Sequence, residues 1–326
     1  EKGFFWWGGK GISTEHTAWL NLINHIEAPL SGSYKLNSKA VSEQIGGQIF
    51  SDCWGYLALD KPDIAISLAE KMSSVTHDLD GTEGGKFVAV CIALAWHIQD
   101  ARELITTALA YLKQDSKYAQ LIREMLDFYL QYPNDPEKCL AYIEDKHSYD
   151  NYEGLCHILP NTAIMLYGML YGNNEFNRTM QLIAEAGRDT DCNLGNVGSI
   201  LAMMVGLENI DEKWIKPIND ILLCSSSIGS KNITTISKSA YHFATLACKL
   251  HGISCPNETI GKHTTDFSLP YATNGFQIES DRYHACNLRV NQNQLKVCLD
   301  DVLPNQEFKL YKHCYYRPQD VYDCRY

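Results

Sequence analysis

The sequence predicts a mainly α protein with a small β-rich module at its C-terminal end. Two observations carry this. Apolar residues recur at helical spacing through residue 255. Beyond Cys255-Pro256 the pattern changes to short alternating runs separated by Asn, Asp and Pro. A boundary is therefore expected near 256–264, between a helical domain over 1–255 and a small β-sandwich-like module over 262–326. With 326 residues the chain is long enough for one large core and a smaller second one.

Each element has a local reason. Ser38 or Asn37 is placed to cap a helix running to about Leu59, with Glu43 and Gln44 in its early turns. Pro62 stands in the first turn of the next helix, whose Ile64, Ala65, Leu68, Ala69 and Met72 share a face. Residues 84–113 and 116–131 repeat that pattern. Pro133-Asn134-Asp135-Pro136 breaks the chain, and Asp135 can cap a helix through Tyr142. Apolar helices follow over 159–171, 176–187 and 194–207, and a longer one over 233–251 ends at Gly252. Phe267-Ser268-Leu269 and the runs at 276–278, 286–290, 295–299 and 308–311 read as strands.

Charge and cysteine usage narrow the function classes. A net charge of -11 argues against nucleic-acid or anionic-membrane binding, which needs a basic face. No run of about 18 uncharged apolar residues is present to span a bilayer. None of the 12 cysteines forms a CxxC pair, so a zinc ribbon or thioredoxin-type site is not expected. The reading is a reducing, cytoplasmic compartment with mostly free thiols, although the cluster from Cys286 to Cys324 leaves room for disulfides.

The most informative stretch is Gly187-Arg188-Asp189-Thr190-Asp191-Cys192-Asn193, at the mouth of a helix that reads as apolar on every side. Buried carboxylates need compensation, and a hard divalent cation such as Mg²⁺, Ca²⁺ or Mn²⁺ would supply it through oxygen ligands. The EF-hand pattern does not fit, because Leu194 and Ile200 stand where its Gly and Glu belong. The plainer reading is that Asp189 or Asp191 caps the helix. Trp7-Gly8-Gly9-Lys10-Gly11-Ile12-Ser13-Thr14 is a Gly-rich turn before a helix capped by Ser13 or Thr14, a geometry that suits an anion such as a diphosphate. Thr76-His77-Asp78 begins an interhelical loop that gathers a histidine with acids. Cys156-His157 invites a thiol-nucleophile reading, but catalytic Cys and His are usually distant in sequence.

In order along the chain, five of these segments resemble the ADP-ribosylglycohydrolase family, in the branch of J1-crystallin-like and bacterial hydrolases. They are the Gly-rich turn at 8–14, Glu43-Gln44-Ile45-Gly46-Gly47-Gln48, Thr76-His77-Asp78, Cys156-His157-x-x-Pro160-Asn161 and Gly187 to Gly198. The resemblance implies an all-α orthogonal bundle with two Mg²⁺ ions in a cleft. It implies hydrolysis of the C1″ glycosidic bond of ADP-ribosyl or related ribosyl groups on protein or small-molecule acceptors. By the same resemblance, Asp189 and Asp191 are catalytic and metal-binding, and Cys192 stands where a metal-ligating Thr is common. Gly9, Gly11, Ser13, Thr14, His77, Cys156 and His157 would contact the ADP-ribose or ADP-ribosylated substrate. The family's other metal half, a T-D-D-T-like element with a G-D-A-x-G signature, does not occur from Glu1 onward, so one half of the two-metal site is visible. Either upstream residues supply it, as the non-Met start favours, or the chain is a catalytically inactive ADP-ribose-binding or crystallin-like structural relative.

Overall fold

The computed structural model describes residues 13–224, 232–255, 265–281, 286–300 and 302–313. The chain divides into two compact units, Glu1–Ile210 and Asp211–Tyr326. The first unit is helical. In chain order it contains α1 (Thr14–Ile23), α2 (Tyr34–Asn37), α3 (Lys39–Ser42), α4 (Gly46–Ile49), α5 (Asp52–Leu57), α6 (Pro62–Ser73) and α7 (Asp80–Ala95). It continues with α8 (Ala101–Leu109), α9 (Lys117–Gln131), α10 (Pro136–Lys146), α11 (Ile158–Tyr171), α12 (Phe176–Ala186) and α13 (Thr190–Val205).

The helix starts follow local chemistry. Ser13, Asp100, Ser116 and Asp135 each accept a backbone N–H of the first turn of α1, α8, α9 and α10. Pro62 and Pro136 open α6 and α10, where a missing N–H costs nothing. Two helices form the centre. All of α11 is buried, as is nearly all of α7. Phe87, Ile92, Leu104, Ile122, Met165, Leu166, Ile183 and Ile200 belong to the surrounding core.

Three expectations differ from the structure. The helix expected from Ser38 to Leu59 is three short helices, α3 to α5. Ser38 has φ 76 and caps nothing, and the break after α3 frees backbone to bond elsewhere: Ile45 N donates to Cys156 O at 2.9 Å, and Ile158 N donates to Glu43 O at 3.0 Å. The helix expected over 84–113 is split into α7 and α8, with Asp100 starting the second part. The helix expected to be apolar all round, α13, is buried on one face only, through Asn193, Asn196, Val197, Ile200, Leu201 and Met204.

The second unit starts with α14 (Glu212–Ile215). The strand β1 (Ile221–Leu223) pairs antiparallel with β2 (Ile233–Thr235), which leads into α15 (Ile236–Leu250). The helix that the sequence grouped with the first domain thus lies in the second unit. The strand β3 (Phe276–Ser280) pairs with β6 (Phe308–Lys312), and β4 (Cys286–Asn291) pairs with β5 (Gln294–Leu299), both antiparallel. Gln292 and Asn293, both at positive φ, make the tight turn of the β4–β5 hairpin. Phe267–Leu269 is not a strand: Ser268 N donates to Asp266 Oδ1 at 2.8 Å, so the aspartate closes a local turn. Asp220 ties the unit together by accepting from Ser237 N and Ser237 Oγ at 2.8 Å each, and from Asn274 N at 2.9 Å. Every described cysteine is a free thiol. Among the described residues, no helix is long and apolar enough to cross a membrane.

Glycines let α4 lie directly against α7. A Cβ on Gly47 would stand 2.2 Å from Gly81 O, and one on Gly85 would stand 2.5 Å from Gly47 O. Both obstacles are backbone and cannot swing aside. Gly47→Ala is therefore expected to destabilise the protein by roughly 1–3 kcal/mol. Chemical denaturation of wild type and variant measures the difference, and equal midpoints would refute this packing.

Candidate functional site

The chain reverses sharply before α13. Gly187 has φ 72 and ψ -151, a region that a side chain disfavours, and Arg188 follows at φ 66. Asp189 occupies the N-cap position, yet its side chain caps no backbone N–H. Its Oδ2 instead accepts a hydrogen bond from Cys156 Sγ at 2.8 Å. The capping explanation thus fails for Asp189. Asp189, Asp191 and Cys192 each present a ligand atom, and the three atoms lie within 4.8 Å of one another. This cluster could hold a metal ion. Asp191 is exposed, while Asp189 and Cys192 are half-buried.

Cys156 is held from several sides. Its backbone N donates to Gln44 Oε1 at 2.8 Å, and its carbonyl accepts from Ile45 N. Asn161 Nδ2 stands 3.3 Å from its sulfur. The Tyr149 hydroxyl donates to Asn161 Oδ1 at 2.5 Å, and the Arg188 guanidinium sits over the Tyr149 ring at 5.5 Å. Electrostatics follow from this crowding. Burial, reinforced by the Asp189 carboxylate, pushes the Cys156 thiol up to about 12. Burial also raises Asp189, and burial with the two aspartates raises Cys192.

Not every expected residue joins this cluster. Gly9 and Gly11 lie outside the described residues. Ser13 caps α1 through His16 N at 3.1 Å, and the buried Thr14 hydroxyl donates to Val41 O. His77 is 1% exposed, and both ring nitrogens are engaged: Nε2 accepts from Gly47 N at 2.9 Å, and Nδ1 lies 2.6 Å from Thr76 Oγ1. Burial lowers its pKa to about 3, so it is neutral and fixes the α4 turn. His157 is buried, stacks on Tyr152 at 4.7 Å, and accepts from Leu159 N at the start of α11. Cys156 and His157 do not form a thiol–imidazole dyad, because the Cys156 sulfur faces Asp189 while the His157 Nε2 faces Glu43 Oε2 at 3.4 Å.

One polar group was not singled out from the sequence. Asp52 Oδ1 accepts from Asn196 Nδ2 at 2.7 Å, and its Oδ2 accepts from Ser199 Oγ at 2.5 Å. Cys192, Asn196 and Ser199 follow one another at positions i, i+4 and i+7, so Asp52 lies along the face of α13 that carries Cys192. The available signal was polar Asn196 and Ser199 within an apolar helix. Burial, partly offset by the Ser199 and Asn196 hydrogen bonds, raises the Asp52 pKa from 3.8 to about 6.

A family model for ADP-ribosylglycohydrolase matches residues 4–244. No curated protein matches the chain.

The raised Asp52 carboxyl has a stability consequence. Between pH 3.8 and about 6 the folded state binds the proton that the unfolded state releases, so stability falls as pH rises through this window. A shift of this size corresponds to at most about 3 kcal/mol. Asp52→Asn keeps an acceptor for Asn196 and cannot ionise, so it is expected to lose this dependence and to be more stable than wild type above pH 6. Thermal unfolding of both proteins from pH 4 to 7 tests it; parallel pH profiles would refute the assignment.

Proposed function

The chain belongs to the ADP-ribosylglycohydrolase family, and from that premise we propose that it hydrolyses the C1″ glycosidic bond of ADP-ribosyl groups on protein or small-molecule acceptors. The observation that carries the proposal is the convergence of Asp189, Asp191 and Cys192 at the start of α13, with Asp189 turned away from a capping role.

The reaction breaks the C1″–N or C1″–O bond through an oxocarbenium-like state. Water oxygen bonds to C1″, one water proton is released, and the departing acceptor is protonated. In this reading the Asp189 and Asp191 carboxylates accept the ribose hydroxyls and stabilise positive charge developing at C1″. The start of α1, at Ser13 and Thr14, receives the diphosphate through backbone N–H groups. His77 is a positioning residue that holds Gly47 and, through it, the seat of Cys156. His157 holds the start of α11.

Magnesium is the cation that the family resemblance implies. Two carboxylates suit it, but the Cys192 thiol among them and the Cys156 thiol on Asp189 do not, because Mg²⁺ takes oxygen ligands in a strict octahedral shell. The thiols equally favour a second reading, a relative that binds ADP-ribose without cleaving it.

Release of free ADP-ribose from an ADP-ribosylated protein separates the two readings. Wild type is expected to release it, and Asp189→Asn and Asp191→Asn are expected to slow release by about a hundredfold or more. Binding of ADP-ribose with no release by wild type would establish the second reading. Unchanged rates in both variants would remove these aspartates from the mechanism.

A further inference from the structure

We propose that the Asp189–Asp191–Cys192 cluster selects a thiophilic divalent cation of the Zn²⁺ class over Mg²⁺, with Cys156 providing a second thiol on the Asp189 side. The inference rests on reading this cluster as the cation site of the proposed hydrolase, and it changes the chemistry of that site.

The donors are the first argument. One carboxylate oxygen each from Asp189 and Asp191 and the Cys192 sulfur lie within 4.8 Å of one another. Zinc bonds oxygen and thiolate at about 2.0–2.3 Å, so one ion can reach all three after small side-chain adjustments. Cys156 Sγ is 2.8 Å from Asp189 Oδ2, which places a further sulfur beside the oxygen of a proposed ligand. Thiolate is a soft donor that suits zinc and has little affinity for a hard, oxygen-seeking ion.

Asn193 is the second and independent argument. It is fully buried in the first turn of α13, and its amide oxygen has no hydrogen-bond partner among the described residues. Buried amides are almost always paired. Asn193 lies beside the Tyr149 hydroxyl, which bonds Asn161, which in turn supports the Cys156 sulfur. An unpaired amide oxygen at this point suits a ligand or water carried on the ion. The Tyr149–Asn161 pair supplies the outer hydrogen bonds that metal-bound sulfur needs.

Cobalt provides the direct test, because thiolate ligation to Co²⁺ gives charge-transfer absorption in the near ultraviolet that oxygen ligation lacks. The full chain, reduced and stripped of metal, is titrated with Co²⁺, then with Zn²⁺, and separately with Mg²⁺ in large excess. The expected result is one Co²⁺ per chain with thiolate absorption, displaced by Zn²⁺ and retained against Mg²⁺. Cys192→Ser should lose the band and weaken Zn²⁺ binding at least tenfold. Cys156→Ser should weaken the band and lower affinity roughly 10- to 100-fold. Cys224→Ser, an exposed cysteine of the second unit, should behave as wild type. Co²⁺ bound without thiolate absorption, displacement by Mg²⁺ at equal concentration, or unchanged binding in both site variants would overturn the inference. ADP-ribose release is measured on the same samples. No release with the thiolate band present defeats the hydrolase reading and upholds the cation inference. Release that needs Mg²⁺ and shows no band does the reverse.

Discussion

The first unit depends on burying α7 on all sides while three charged side chains stand in its first two turns. Asp80, Glu83 and Lys86 are all buried. Such charges are tolerated only when paired and hydrogen-bonded. Glu83 Oε1 pairs with Lys86 Nζ, and Glu83 Oε2 accepts from Lys113 N at 2.9 Å. Asp80 Oδ1 accepts from Tyr118 N at 3.0 Å. Each contact fixes a different neighbour. The loop before α9 and the first turn of α9 are tied to the helix they cover, so satisfying α7 also orders the elements around it. Removing one partner would leave a charge in the core, a loss of about 3–5 kcal/mol, more than replacing the whole network would cost.

The same frame reaches the candidate site through Gln48. Its side-chain oxygen accepts from the Tyr118 hydroxyl at 2.7 Å and from Thr162 Oγ1 at 3.0 Å, which joins α4 to α9 and α11. The segment just before α4 then bonds the Cys156–Ile158 backbone, and Gln44 holds Cys156 N. The helix α13 packs on α7 and presents Asp189 to the sulfur so held. The site is thus built between two features placed by one buried helix. Glycines at 47 and 85 are what permit the required distance between α4 and α7.

Much of the fold was legible because helix signals are local. Proline at a first turn, a side-chain cap and apolar residues on one face located α6, α9, α10, α11 and α12 closely. The breaks were harder to see. Nothing near Ser38 signals that residues 43–45 leave helix geometry to bond a strand-like segment more than a hundred positions later; that competition is tertiary. The loop between α7 and α8 carried its signal, a capping Asp100, inside an apolar pattern that hid it. At the site, the Asp189–Asn193 spacing was visible, but Asp189 bonding Cys156 depends on the fold around Gln44. Asp52 escaped notice because its partners, Asn196 and Ser199, become a pair only when α13 is wound.

Two adjoining positive-φ residues show that the start of α13 is held in an uncommon shape. Gly187 tolerates φ 72, since it has no Cβ to clash. Arg188 at φ 66 has no such freedom, and a side chain held there costs of order 1 kcal/mol or more. Its guanidinium compensates through Glu144 at 3.4 Å and the Tyr149 ring. That salt bridge is half-exposed and weak by itself, so stability alone is a poor reason to keep the strained turn. The turn does, however, aim Asp189 away from its own helix and toward Cys156. A helix entered in ordinary geometry would let Asp189 cap α13, satisfying the backbone and withdrawing a carboxylate from the cluster. The strained entry is therefore the feature that separates a capped helix from a set of converging ligands.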